Sequence, residues 1–170
     1  HFAELNIEGA FVCGREFVLL QRGHAGGSPN ASVHYALTPV LAWLFDGADA
    51  PLMQHMRRHQ LGRVAGVPLC FTDGAALPDG RLVFCAVAER AADSYQDGPC
   101  VASAVGVIGA DGNLGWVRRL HKPWKVEGIA VRPDGRLLLV TDADDACVPA
   151  GLYASRLPVG PVRPRRQPSR

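Results

Sequence analysis

VEGIAVRPDGRLLLVTDADD, residues 126–145, sets a lone acid, Glu127, at the head of an apolar, β-branched run. It then turns through Pro133-Asp134-Gly135-Arg136, continues apolar, and closes on Asp142, Asp144 and Asp145. Two apolar runs joined by such a turn read as a β-hairpin. The same order occurs 54 residues upstream in TDGAALPDGRLVFCAVAE, residues 72–89, with Asp73-Gly74 in place of Glu127-Gly128. A more worn copy, IEGAFVCGREFVLLQRG at residues 7–23, keeps Glu8-Gly9 and a turn glycine, Gly14. It lacks the Pro-Asp pair and ends in Arg22-Gly23.

Repeats of this length, made of short strands separated by turn signals, point to a radial or stacked β architecture. The middle unit is the best preserved and reads as four strands, at 69–77, 81–88, 100–108 and 114–120. Four antiparallel strands followed by a restart of the motif describe one blade of a β-propeller. The last unit supplies strands at 125–131, 136–140 and 151–157, and no fourth. The first supplies 5–12, 17–21 and a stretch near 31–36, followed by an insertion at 38–60. Residues 51–60 of that insertion read as a short helix, and 61–67 as the fourth strand. The expected fold is all-β, about three four-stranded antiparallel blades at 1–68, 69–120 and 121–158, the last incomplete. A Pro/Arg-rich tail at 159–170 is expected to be disordered. Closed propellers hold four to eight blades, so three imply half of a ring whose N-terminal half is the missing partner. A free-standing three-repeat β protein is the alternative.

With 170 residues, 48% hydrophobic and 20% charged, the chain has the composition of a globular protein. The net charge is +2, and several of the basic residues sit in PVRPRRQPSR, which leaves no basic face for nucleic acid. No apolar run approaches the roughly 18 residues of a membrane helix. The five cysteines include no CxxC pair, and Cys70 and Cys85 fall in or beside expected strands as small hydrophobes. A reducing, cytoplasmic setting is the expectation. The chain enters a repeat within its first ten residues and does not open on Met, so it is expected to be a piece of something longer.

LNIEGA, LLQRG and Asn30, then FTDGAALPDGRLVFCAVAE and DGPCVASAVG, then KVEGIAV and TDADD resemble the C-terminal half of a bacterial propeller family of unknown function. That family is distantly similar to the propellers described as having the "esterase-like activity of phytase". It is more loosely similar to the lactonase and strictosidine-synthase-like propellers. The resemblance spans roughly residues 5–157. It implies a six-bladed ring with the blade-initial acids at its central channel, where a divalent cation is an option.

The innermost strands of a propeller line its axis. Glu8, Asp73 and Glu127 begin equivalent strands, so rotational symmetry would gather them at one mouth of the channel. Converging carboxylates repel, and protonate unless something positive sits between them. Ca²⁺ accepts six to eight oxygens in loose geometry and suits such a ring better than Mg²⁺. The expected metal ligands are therefore Glu8, Asp73 and Glu127. The alternative for each acid is to accept backbone N–H groups of a neighbouring blade, its glycine permitting close packing. Glu89, Asp142 and Asp144 form a second tier that extends the site or holds another ion, with a solvated acidic loop as the alternative. Asp93, Tyr95 and Asp97 read as wet loop residues. Arg22, with Asn30 nearby, replaces an acid in the first unit and is the expected contact for a substrate carboxylate or phosphate. Pairing with a nearby acid is its alternative.

Other residues offer less chemistry. His24, His34, His55, His59 and His121 show no metal spacing, and His55 with His59 reads as a solvated helix face. Trp116 and Trp124 are expected to pack between sheets, and Ser103 to be small for close packing. No G-x-S-x-G is present, and GHAGGSPN lacks the Lys of a phosphate loop. Two functions follow. One is a cation-assisted hydrolase of a small ester, lactone or phosphate-type substrate, with Asp73 and Glu127 as ligands. The other is a non-catalytic binding or scaffolding propeller, or a fragment inactive without its other half.

Overall fold

The computed structural model describes residues 2, 4–24, 26–90 and 98–157. Strands β1 (Ile7–Cys13), β2 (Glu16–Gln21), β3 (Asn30–Ala36) and β4 (Met53–His59) form a first sheet in that order. Helix α1 (Leu37–Asp46) lies between β3 and β4, and a two-residue ladder of β5 (Arg63–Val64) with β6 (Val67–Pro68) leads onward. β7 (Cys70–Ala76), β8 (Leu82–Glu89), β9 (Cys100–Ile108) and β10 (Leu114–Arg119) form the second sheet. β11 (Val126–Val131), β12 (Arg136–Thr141) and β13 (Leu152–Arg156) form a third, with three strands among the described residues. Every pairing is antiparallel between chain neighbours, and none of the sheets is closed.

Turn chemistry dictates the tight hairpins. Gly80, Gly112 and Gly135 take φ of 82°, 75° and 77°, left-handed backbone that side chains resist. In the same turns Asp79, Asp111 and Asp134 accept the backbone N–H of Arg81, Asn113 and Arg136 at 3.2, 3.0 and 3.1 Å. Each acid thus mimics a backbone turn two residues on.

The second sheet is sandwiched, which explains why β8 is apolar at almost every position. Its even-numbered residues, Leu82, Phe84, Ala86 and Ala88, join Val18, Leu20 and Phe71 in a core against the first sheet. Its odd-numbered Val83 and Cys85 join Val126, Ile129, Leu137 and Leu139 in a core against the third. Period-2 alternation therefore feeds two cores from one strand. Phe84 lies so close to Gly106 of β9 that a methyl there would overlap the ring.

Where the sheets approach, their first strands pack side by side: β7 contacts both β1 and β11. A methyl on Gly9 would stand 3.2 Å from Gly74 N and 3.3 Å from an Asp73 carboxylate oxygen, so the acid-Gly motif serves close approach. Each first strand also carries a bulge, where pairing skips Glu8 in β1, Thr72 in β7 and Glu127 in β11. The middle bulge falls one residue earlier than the sequence repeat implies.

The insertion departs from expectation. The helix is Leu37–Asp46, ended by Gly47 at φ 71°, whose N–H bonds Ala42 O. Pro39 sits in its first turn, where a missing N–H costs nothing. Residues 53–59, read as helical, are instead strand β4, paired with β3 and mostly exposed. The fourth strand is thus β4, and 61–67 yields only the β5–β6 ladder. MQHMRRH has no apolar period of either kind, so pairing to β3 decides its form. Among the described residues no helix is long and apolar enough to cross a membrane, and all five cysteines are free.

Candidate functional site at the strand starts

The bulges deliver Glu8 and Glu127 to one charge cluster. Arg22, just past β2, donates to Glu8 Oε1 at 3.4 Å and, through its other terminal nitrogen, to Glu89 Oε2. Lys125, just before β11, pairs with Asp144. Its Nζ also lies 3.4 Å from Glu89 Oε1 and 3.7 Å from Glu127 Oε1. Among the described residues, four carboxylates thus share two cations. The Glu89 and Lys125 side chains are only 4% and 8% exposed, so these charges are largely removed from water. Breaking a buried pair is strongly destabilising, because it leaves an uncompensated charge.

The electrostatics are uneven. Burial pushes the Glu127 carboxyl up to about 7, reinforced by Glu8 and Glu89 and only partly relieved by Lys125 and Arg22. Burial works against the Arg22 charge, but Glu89, Glu8 and Glu127 outweigh it and hold the guanidinium above its ordinary value. Glu89 Oε1 and Glu127 Oε1 are buried without a hydrogen bond. Among the described residues, longer contacts to Lys125 reach them at 3.4 and 3.7 Å.

Asp73, the third expected ligand, is held differently. Its Oδ1 accepts the Gly74 N–H at 2.7 Å and its Oδ2 the Ile129 N–H at 2.9 Å. Burial raises its pKa, and those two backbone bonds restrain the rise. Asp73 therefore ties β7 to β11. Next to it the Thr72 hydroxyl donates to Val126 O at 2.6 Å. Ser103 of β9 is buried and donates to Trp124 O, just ahead of β11. Asn30 has the matching role at the preceding junction, between the first and second sheets. Its amide donates to Leu69 O at 2.9 Å, and its carbonyl accepts the N–H groups of Gly23 and Phe71 at 3.0 and 2.9 Å. In the acidic loop, Asp142 Oδ1 accepts the Asp144 N–H at 3.0 Å and Asp145 Oδ1 the Cys147 N–H at 2.8 Å. Asp93, Tyr95 and Asp97 lie outside the described residues.

Over residues 1–146 the sequence matches a protein family described as a family of unknown function, DUF6910. The chain belongs to this family. No curated protein matches it. The DUF6910 match takes in Glu8, Arg22, Asp73, Glu89, Lys125, Glu127, Asp142 and Asp144. The family description names neither a fold nor an activity, so chemistry must come from the geometry.

Beside the cluster opens a cleft of 320 Å³, lined among others by Glu89, Lys125, Asp142, Asp144, Trp124 and Tyr153. The Trp124 and Tyr153 rings stack at 4.3 Å. Lys125 is the residue that reading the sequence passes over. Its signal was legible: a lysine two residues ahead of Glu127, where an acid-rich mouth needs a cation. A histidine group on the first sheet was also missed. His34, on β3, faces His55 on β4 across one register pair. Because residues 53–59 form a strand, His55 and His59 share a sheet face and not a helix face. Their partners lie on another strand, which sequence spacing does not reveal.

Proposed function

We propose that this DUF6910 chain contributes three blades to a β-propeller whose hub mouth binds a small, donor-rich ligand. The observation that carries this reading is the pair of internal cations: Arg22 and Lys125 occupy the space between Glu8, Glu89, Glu127 and Asp144, where a metal was expected. Carboxylates that converge are neutralised there by side chains, and the adjoining cleft offers acids beside an aromatic pair. Hydroxyl or ammonium groups of a polyol or small amine suit such a wall, since carboxylates only accept. Support for the blade arrangement is the side-by-side packing of β1, β7 and β11 and the shared sheet topology.

A second reading keeps the hydrolase. Among the described residues four carboxylates face two cations, and the buried Oε1 atoms of Glu89 and Glu127 lack hydrogen bonds. A Ca²⁺ ion at Glu8 and Glu127, with Asp73 nearby, would polarise a small ester, lactone or phosphate-type substrate, and Arg22 would hold a substrate anion. Thermal-shift titration of the full chain with polyols, small amines and Ca²⁺ separates the two. On the binding reading, polyols or amines raise the melting temperature, Glu89→Gln abolishes the shift, and Ca²⁺ has no effect. Stabilisation by Ca²⁺ alone, lost in Glu127→Gln, overturns it in favour of the hydrolase.

A further inference from the structure

We propose that Glu16, His34 and His55 form a divalent transition-metal site across β2, β3 and β4 of the first sheet, with Zn²⁺ the ion its ligands fit. Among the described residues these three present ligand atoms that all lie within 4.8 Å of one another. They come from three adjacent strands and share one sheet face. His34 on β3 pairs directly with His55 on β4. On its other side His34 pairs with Val18, two residues from Glu16 on β2. Directly opposed residues hold their Cβ atoms about 4.5–5.5 Å apart, a spacing from which two imidazoles reach one ion.

His34 is already oriented for the task. Its Nδ1 lies 2.9 Å from Glu16 Oε2, and its Nε2 lies 3.0 Å from Ser32 Oγ. Ser32 Oγ in turn lies 2.9 Å from His59 Nε2, with Ser32 and His59 both buried. A ligating histidine characteristically gives its second N–H to a polar partner, which fixes ring and tautomer. Here the ion takes Nδ1, the ring proton moves to Nε2 and is donated to Ser32, and the Ser32 hydroxyl turns its hydrogen to His59 Nε2. No proton need leave the row.

His55 must turn. Its ring stacks on His34 at 4.2 Å and 15°, so the two sets of in-plane lone pairs run nearly parallel. It is exposed, which leaves its ring room to rotate. Rotation closes the ligand atoms towards the roughly 3.3 Å separation set by bonds of about 2.0–2.1 Å in a tetrahedral site. Two imidazoles and one carboxylate leave the fourth position for water. That donor set favours borderline ions over Ca²⁺, which prefers oxygen throughout. Arg57, the nearest cation on β4, is drawn off by its bond to Asp111 O in the second sheet.

The test is metal titration of the untagged full chain, read by Co²⁺ absorption and by Zn²⁺ competition against a chromophoric chelator. We expect one ion per chain and a tetrahedral Co²⁺ spectrum. His55→Ala and Glu16→Gln, each with unchanged circular dichroism, should weaken binding by roughly tenfold or more, the least that losing even an outer partner typically brings. Asp134→Asn, in an exposed turn of the third sheet, should leave it as it was. Absence of one-to-one binding, or wild-type affinity in either ligand variant, overturns the proposal.

Discussion

Glu127 is the residue whose environment is most at odds with its charge. Its native pKa of about 7 lies above the ordinary 4.5, so the folded chain binds more protons than the unfolded one between those values. Its contribution to stability is then fully present below about pH 4.5 and is lost as pH rises through about 7. Glu127→Gln should match the wild type in urea denaturation at about pH 4.5 and become the more stable protein by about pH 8. A difference that does not change with pH would remove burial as the cause. Asp73 makes the opposite case, a carboxylate whose two oxygens each hold a backbone N–H. Asp73→Asn turns one acceptor into a donor and strands one of those N–H groups. The expected loss is about 1–3 kcal/mol, measured by denaturation at neutral pH. The acid-Gly pattern announced this position but not its use: Glu8 and Glu127 sit in the bulges, whereas in β7 the bulge falls on Thr72. Symmetry in the letters did not carry into symmetry of the side chains.

The hairpins were the most legible elements, because Pro-Asp-Gly and Asp-Gly-Asn turns leave one backbone solution each. The insertion was the least legible. Polar MQHMRRH carries no period, and its strand form comes wholly from β3 beside it. LTPVLAWLFD hides its helix behind a proline harmless in a first turn. Within the second sheet, Gly106 is an element-level requirement: it clears the space that the Phe84 ring fills from β8. Gly106→Ala should destabilise by about 1–3 kcal/mol through overpacking. Pairing it with Phe84→Leu should recover some of that loss in a double-mutant cycle, and purely additive effects would refute the contact.

In the molecule as a whole, the second sheet is packed between the other two, the third buries one face, and the first buries Ala31 and Val33 on the face turned away from the second. The amides of β8 and β9 should therefore exchange with deuterium most slowly, and those of β12 and β13 considerably faster. Equal protection across the three sheets would contradict the sandwiched arrangement. A sign of the two cores that went unread lies in RLVFCAVAE, since a strand apolar on both of its faces needs a neighbour on each. The charge cluster was not visible in advance, because Arg22, Glu89 and Lys125 come from three separate stretches of chain, and only the folded junctions bring them together.

Those junctions share a direction. Asn30 grips the main chain of the second sheet, and Thr72, Asp73 and Ser103 grip that of the third, always from the earlier sheet to the later one. What is gripped is peptide N–H and C=O, which every amino acid supplies. For these grips a tandem copy of the middle unit would need no matching substitution of its own, and only the side chains of the core between the two copies would have to fit.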